Sequence, residues 1–153
     1  MLKVFHSMDE MRFEMLSQLY GHDTQQETDF YEYLCEVFFR TKGAVYCVWL
    51  ENGRYCSALR LEPYEDGLVL AGLVTAQELR RRGYAALLIG GALNWLAEQG
   101  RVRVYSHIHH NNRGSIAVHE RCGFRRIADY AVFLDGSVSA LAGTYYFDTG
   151  SLD

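Results

Sequence analysis

The sequence predicts an α/β fold, a single-domain mixed central β-sheet with helices on both faces. Three observations carry that expectation. Segments with strand-like and helix-like apolar spacing alternate along the chain. One segment, Leu68 to Thr75, is apolar almost throughout, as suits a central strand covered on both faces. The length of 153 residues, 49% of them apolar, suffices for one core but not for two full-sized domains.

The elements follow in order. Leu2 to His6 reads as a short strand. Ser7-Met8-Asp9-Glu10 has the form of a capping box, with Ser7 as N-cap. Met8, Met11, Met15, Leu16 and Leu19 then keep helical spacing up to Gly21. Thr24-Gln25-Gln26-Glu27 reads as a second box. Phe30, Leu34, Val37 and Phe38 form the expected buried face of its helix, closed by Gly43. Ala44 to Leu50 and Tyr55 to Leu61 are expected as a hairpin around Asn52-Gly53, because both centres of a type I′ turn need positive φ. Glu65-Asp66-Gly67 is a further turn, leading into Leu68 to Thr75. Gly83 to Glu98 is apolar nearly all round and reads as a buried helix ended by Gly100. In Arg101 to Ile108, Val102, Val104 and Ile108 alternate with Arg103, Tyr105 and His107. A short helix is expected over Arg113 to Arg121, stopped by Gly123, then strands over Phe124 to Leu134 and Thr144 to Phe147. The expected order is β-α-α-β-β-β-α-β-α-β-β.

Composition excludes several classes. A net charge of −4 and a pI near 5.8 argue against a nucleic-acid partner. No window of about 18 uncharged apolar residues suggests a membrane span. The start of the chain lacks the apolar h-region of a signal peptide, so a cytoplasmic location is expected and no membrane partner. Cys35, Cys47, Cys56 and Cys122 form no C-x-x-C pair and read as small buried hydrophobes. A homodimer is compatible with the sequence, which does not specify one.

The most informative stretch runs from Val74 to Ala85, from the central strand through a basic turn into a helix. A helix N-terminus carries unpaired N–H groups and partial positive charge. Arg80, Arg81 and Arg82 add charge, and Gly83 with Ala85 keeps the surface low. The combination suits a pyrophosphate, although neither G-x-x-x-x-G-K-[ST] nor G-x-G-x-x-G is present. A solvated basic turn is the plainer alternative.

Arg80-Arg81-Arg82-Gly83-Tyr84-Ala85 resembles the acyl-CoA pyrophosphate loop of the GCN5-related N-acetyltransferase (GNAT) superfamily. Thr75-Ala76-Gln77-Glu78 resembles the Thr-x-Pro-Glu that precedes that loop, with Gln77 in place of Pro. Asn112 to Phe124 resembles the second family motif, Asn-x-x-Ala/Ser-x-x-Leu/Val-Tyr-Glu-x-x-Gly-Phe. The element order also matches that fold type. The resemblance implies acetyl-CoA as acyl-donor substrate, bound where two parallel strands splay apart. It implies backbone contacts from Leu73, Val74 and Thr75, with a bulge at Gly72 and Val74 as oxyanion donor. It implies Arg80, Arg81, Arg82, Gly83, Tyr84 and Ala85 at the pyrophosphate, and Asn112 and Ser115 beside the pantetheine. The activity it implies is acetyl transfer by direct attack of a primary amine of a small molecule or peptide.

The resemblance also frames the proton chemistry. Where the family usually has Tyr, seven residues after the motif Asn, this chain has His119, on the same helix face as Asn112. It is read as a candidate proton donor to the departing thiolate, with a structural helix histidine as the alternative. Some family members carry a Glu five residues before that Asn. Here the position holds His107, a candidate base for the amine. His107, His109, His110 and His119 with Cys122 invite a metal reading, but lack ligand-pair spacing, and no metal is expected. Asp23, Glu27, Asp29, Glu32 and Glu36, interleaved with Tyr20, Phe30, Tyr31 and Tyr33, would suit a cationic acceptor or simply be solvated. The departure at His119 leaves a non-catalytic acyl-CoA-binding module or sensor as the alternative function, and a metal- or nucleotide-binding protein that shares only the fold as a third.

Overall fold

The computed structural model describes residues 1–152. Seven strands form one sheet in the order β1-β2-β3-β4-β5-β9-β6. They are β1 (Leu2–Phe5), β2 (Val45–Glu51), β3 (Arg54–Tyr64), β4 (Gly67–Thr75), β5 (Arg103–His109), β6 (Arg125–Ala128) and β9 (Ala142–Asp148). A small hairpin, β7 (Ala131–Val132) with β8 (Val138–Ser139), stands apart. The helices α1 (Phe13–Tyr20) and α2 (Thr24–Tyr33) cover one face; α3 (Tyr84–Gln99) and α4 (Arg113–Arg121) cover the other. The α3 side buries Leu59, Leu61, Leu70, Leu88, Ile89 and Val104; the α1 side buries Phe13, Leu16, Leu34, Phe38, Tyr46 and Val48.

The hairpin turn forms as expected, with Asn52 at φ 52° and Gly53 at φ 73°. Both capping boxes change. Glu10 accepts from the His6 N–H and the Ser7 hydroxyl, but only a 3-10 turn, Met8–Glu10, follows. The helix starts at Phe13, because Met11 and Phe13 are buried and the Arg12 N–H donates to the Tyr55 hydroxyl. The second box sits one residue earlier: Asp23 accepts from the Gln26 N–H, and the Gln26 side chain accepts from the Asp23 N–H. At Leu34–Phe38 this helix widens into a π turn. The wider turn rotates less per residue, so Leu34 and Phe38 stay buried while Val37 points to solvent.

Two further expectations are corrected. The α3 helix is buried along one stripe only, with Leu87 exposed. The segment Phe124 to Leu134 is not one strand. It breaks after Ala128, and Asp135-Gly136 forms the tip of the β7–β8 hairpin. Strand β9 then enters between β5 and β6.

Gly123 ends α4 at φ 101°, and a Cβ there would lie 2.7 Å from the Phe147 ring. Gly123→Ala is expected to lower the unfolding free energy by about 1–3 kcal/mol, read from urea titration with an unchanged m-value.

Candidate functional site

Strands β4 and β5 run parallel but pair only at Leu68↔Val104, Val69↔Tyr105 and Leu70↔Ser106. Beyond Leu70 they separate. Ala71 to Thr75 therefore lie half-buried along a cleft, where full cover had been expected. The β3–β4 register shifts between Ala58 and Arg60, and Gly72 sits in the bulge at φ 63°. The Ala76 N–H donates to Cys56 O and Ala58 pairs with Val74, so alternation turns Val74 toward β3 and Leu73 and Thr75 toward the cleft. The Val74 N–H, the expected oxyanion donor, is thus directed at β3, and the N–H groups that face the cleft are those of Leu73 and Thr75.

The cleft opens into a groove of about 780 Å³ lined by Leu73, Val74, Thr75, Arg80, Arg81, Gly83, Tyr84, Ala85, Asn112 and Ser115. That size suits a small-molecule site. Every expected cofactor-side residue lines it except Arg82, which is exposed beside it. At its mouth Gly83 caps α3 at φ 85°, and Leu87 is the first residue whose N–H bonds back, to Gly83 O at 3.0 Å. The N–H groups of Tyr84, Ala85 and Ala86 thus have no helical partner. The first turn of α3 carries no acidic residue. Arg81 holds φ 65°, an uncommon conformation for a non-glycine. Arg80 Nε donates to Thr75 O at 3.4 Å, and Arg54 pairs with Glu78. The Tyr84 hydroxyl donates to Glu51, tying the start of α3 to the end of β2.

Across the groove Asn112 caps α4, its side-chain oxygen accepting from the Ser115 N–H. His119 is buried, with Nδ1 2.7 Å from Ser115 O and Nε2 3.0 Å from the Ser106 hydroxyl. A carbonyl only accepts, so Nδ1 carries the proton and Nε2 accepts from Ser106. His119 has no free ring nitrogen. His107 lies on the opposite face of β5, among Tyr64 and Phe133. Its Nε2 is buried without a hydrogen-bond partner. Burial holds both imidazoles below their ordinary pKa.

Sequence reasoning overlooked a group beneath the bulge. The Tyr20 hydroxyl donates to Gly72 O and lies 2.5 Å from the Tyr46 hydroxyl, which therefore donates to Tyr20. Ser57 donates to Val74 O at 2.7 Å. Arg60, set between Leu59 and Leu61 in β3, lies under Gly72, and a charge between those two apolar residues was its one legible signal. Asp23, Asp29, Glu32 and Glu36 are exposed, and Glu27 is half-buried. Among the described residues no group of three or more His, Cys, Asp or Glu is placed to hold a metal ion.

A family model described as Acetyltransferase (GNAT) family matches residues 5–124. The chain belongs to the GNAT acetyltransferase family. No curated protein matches the sequence. Among solved structures, the ribosomal-protein-S18-alanine N-acetyltransferase from Escherichia coli has TM-score 0.69 at 16% identity, covering 97% of this chain and 94% of that one. An aminoglycoside 6′-N-acetyltransferase complexed with coenzyme A has TM-score 0.70 at 10% identity, with 97% of each chain covered. A spermidine N-acetyltransferase chimera from Vibrio cholerae and hSSAT has TM-score 0.70 at 14% identity, covering 98% of this chain and 96% of that one. At these identities the likeness establishes the GNAT fold.

Neutral His119 ties stability to pH. Its native pKa lies below the unfolded value of about 6.5, so the unfolded chain takes the proton first as pH falls. The stabilisation is whole above about pH 6.5 and is lost as pH falls toward the lowered native value. His107 acts in the same sense. Urea midpoints should fall below about pH 6.5, and less steeply in His119→Asn.

Proposed function

We propose that this protein transfers the acetyl group of acetyl-CoA directly to a neutral primary amine held on the α1–α2 face of the sheet. The observation that carries the reading is the coincidence of two features in one groove. Unpaired backbone lines β4, and the N-terminus of α3, which has no side-chain cap, lies at its mouth. The first can be completed by pantetheine amides, much as a strand edge is completed by an added strand. The second can hold pyrophosphate, through the N–H groups of Tyr84, Ala85 and Ala86 with Gly83, and the charges of Arg80, Arg81 and Arg82. Asn112 and Ser115 flank the arm from α4.

The amine nitrogen attacks the thioester carbon, and the developing oxyanion takes a hydrogen bond from the cleft-facing N–H of Leu73 or Thr75. His107 is the base. Burial keeps it neutral, and a turn of the ring away from Tyr64 and Phe133 brings its unpartnered Nε2 to the amine proton. When the tetrahedral intermediate collapses, the C–S bond breaks with its electron pair on sulfur. The imidazolium formed at His107 then returns a proton to the thiolate. His119, saturated by Ser106 and Ser115, is a positioning residue that fixes α4 against β5.

Calorimetric titration tests the reading: micromolar acetyl-CoA binding without ATP binding supports it, and no acetyl-CoA binding overturns it. Gly83→Asp puts a strained φ and a negative charge at the cradle and should weaken acetyl-CoA binding at least about tenfold. His107→Ala should leave acetyl-CoA binding intact and lower kcat by about 10²–10⁴ in a thiol-release assay, abolishing the acid limb of the pH profile.

A further inference from the structure

The register places three side chains in a row on the α1–α2 face. Arg60 pairs directly with Ala71, and Leu70 with Ser106, so Ala71 and His107 are the next neighbours on the opposite face. Arg60 and His107 thus flank a floor made of Ala71 and Gly72, where β4 meets the proposed thioester position. Strand β5 parts from β4 just beyond Leu70, so β3 and β5 stand farther apart there than the roughly 10 Å of two paired spacings. Arg60 reaches Gly72 from one side, and the His107 ring stands on the other side against Tyr64 and Phe133.

Arg60 is partly enclosed but not sealed. Its side chain is 27% exposed, and Nε meets Glu62 at 3.4 Å. The phenols of Tyr33 and Tyr46 lie within hydrogen-bonding reach of it, and that of Tyr20 faces it. Among the described residues, neither terminal nitrogen makes a contact with full hydrogen-bond geometry, and neither is a fully buried orphan. The terminal edge of the fork, the part that grips a carboxylate in two parallel bonds, therefore reaches solvent beside the bulge. A Cβ on Gly72 would collide with that edge, so the glycine leaves room for it.

We propose that Arg60 binds a carboxylate of the acceptor, so that the amine acetylated here belongs to an α-amino acid or a similarly short amino-carboxylate. The inference rests on the acetyltransferase reading and narrows its acceptor. The carboxylate seats on Arg60 while the amine lies on the His107 side of the floor, where a turn of that ring away from Tyr64 and Phe133 exposes Nε2. The guanidinium also disfavours a nearby ammonium, which helps present the amine in its neutral, nucleophilic form. Polyamines, carrying positive charge alone, meet repulsion at the same place.

The test uses the intact protein and thiol release from acetyl-CoA, comparing free L-amino acids with their amides and with spermidine. The expected result is a kcat/KM at least about 100-fold higher for the best acid than for its amide. Arg60→Gln should collapse that ratio toward unity while acetyl-CoA affinity holds; if that variant fails to fold, Arg60→Lys, which keeps the charge but loses the fork, should reduce the ratio. Amides or spermidine turned over as well as the acids would overturn the proposal, and so would acetyl-CoA binding without turnover of any amino acid. Failure to bind acetyl-CoA at all would instead overturn the acetyltransferase reading.

Discussion

Two parallel strands that bond over three residue pairs and then part company create the conditions for everything at this site. Backbone N–H and C=O groups left without a strand partner must find water or a ligand. From Ala71 to Thr75, β4 offers such groups along one edge, and the crossover to α3 brings a helix N-terminus to the end of that edge. Helix α4 closes the far wall. The groove is therefore a by-product of interrupted sheet pairing, and its two halves, unpaired strand and unpaired helix turn, favour polar and anionic parts of one extended ligand.

The bulge at Gly72 is held from the other face. The hydroxyl of Tyr46 donates to Tyr20, and Tyr20 donates to the Gly72 carbonyl, forming a directed chain from β2 through α1 to the point where β4 turns away. Burial pushes the Tyr20 hydroxyl pKa well above the ordinary tyrosine value, so the donor keeps its proton. The helix that walls the proposed acceptor side thus sets the backbone geometry of the proposed donor side. Arg60 sits in the same cluster, with the Glu62 carboxylate against its Nε.

The two histidines show how one physical cause supports different roles. Burial keeps both neutral. His119 faces the α3–α4 side, where Ser106 and the first turn of α4 satisfy both nitrogens, so its ring is part of the packing. His107, on the other side of the same strand, is enclosed by aromatic edges that supply no hydrogen bond, so its Nε2 is left unpaired. Their separation follows from the period-two alternation of β5 and the helix that packs over it.

Local chemistry is what the sequence by itself determined. Asn52-Gly53 specifies its turn because few other pairs accept two positive φ values, and α4 begins at Asn112 and ends by Gly123 because both signals are local. The anion cradle at Arg80 to Ala85 was legible for the same reason: a helix N-terminus, its glycine and its charges lie within one short stretch. Tertiary structure decided what depends on distant partners. The start of α1 moved to Phe13 because Tyr55, far along the chain, claims the Arg12 N–H. The α2 register changed at a π turn to keep Leu34 and Phe38 in the core. The opposed environments of His107 and His119, the hold of Tyr20 on Gly72, and the place of Arg60 beneath the bulge rest on pairings between residues tens of positions apart. Apolar spacing marks which side of an element is buried, but which polar groups then meet is set by sheet order and register, and those emerge only when the chain closes on itself.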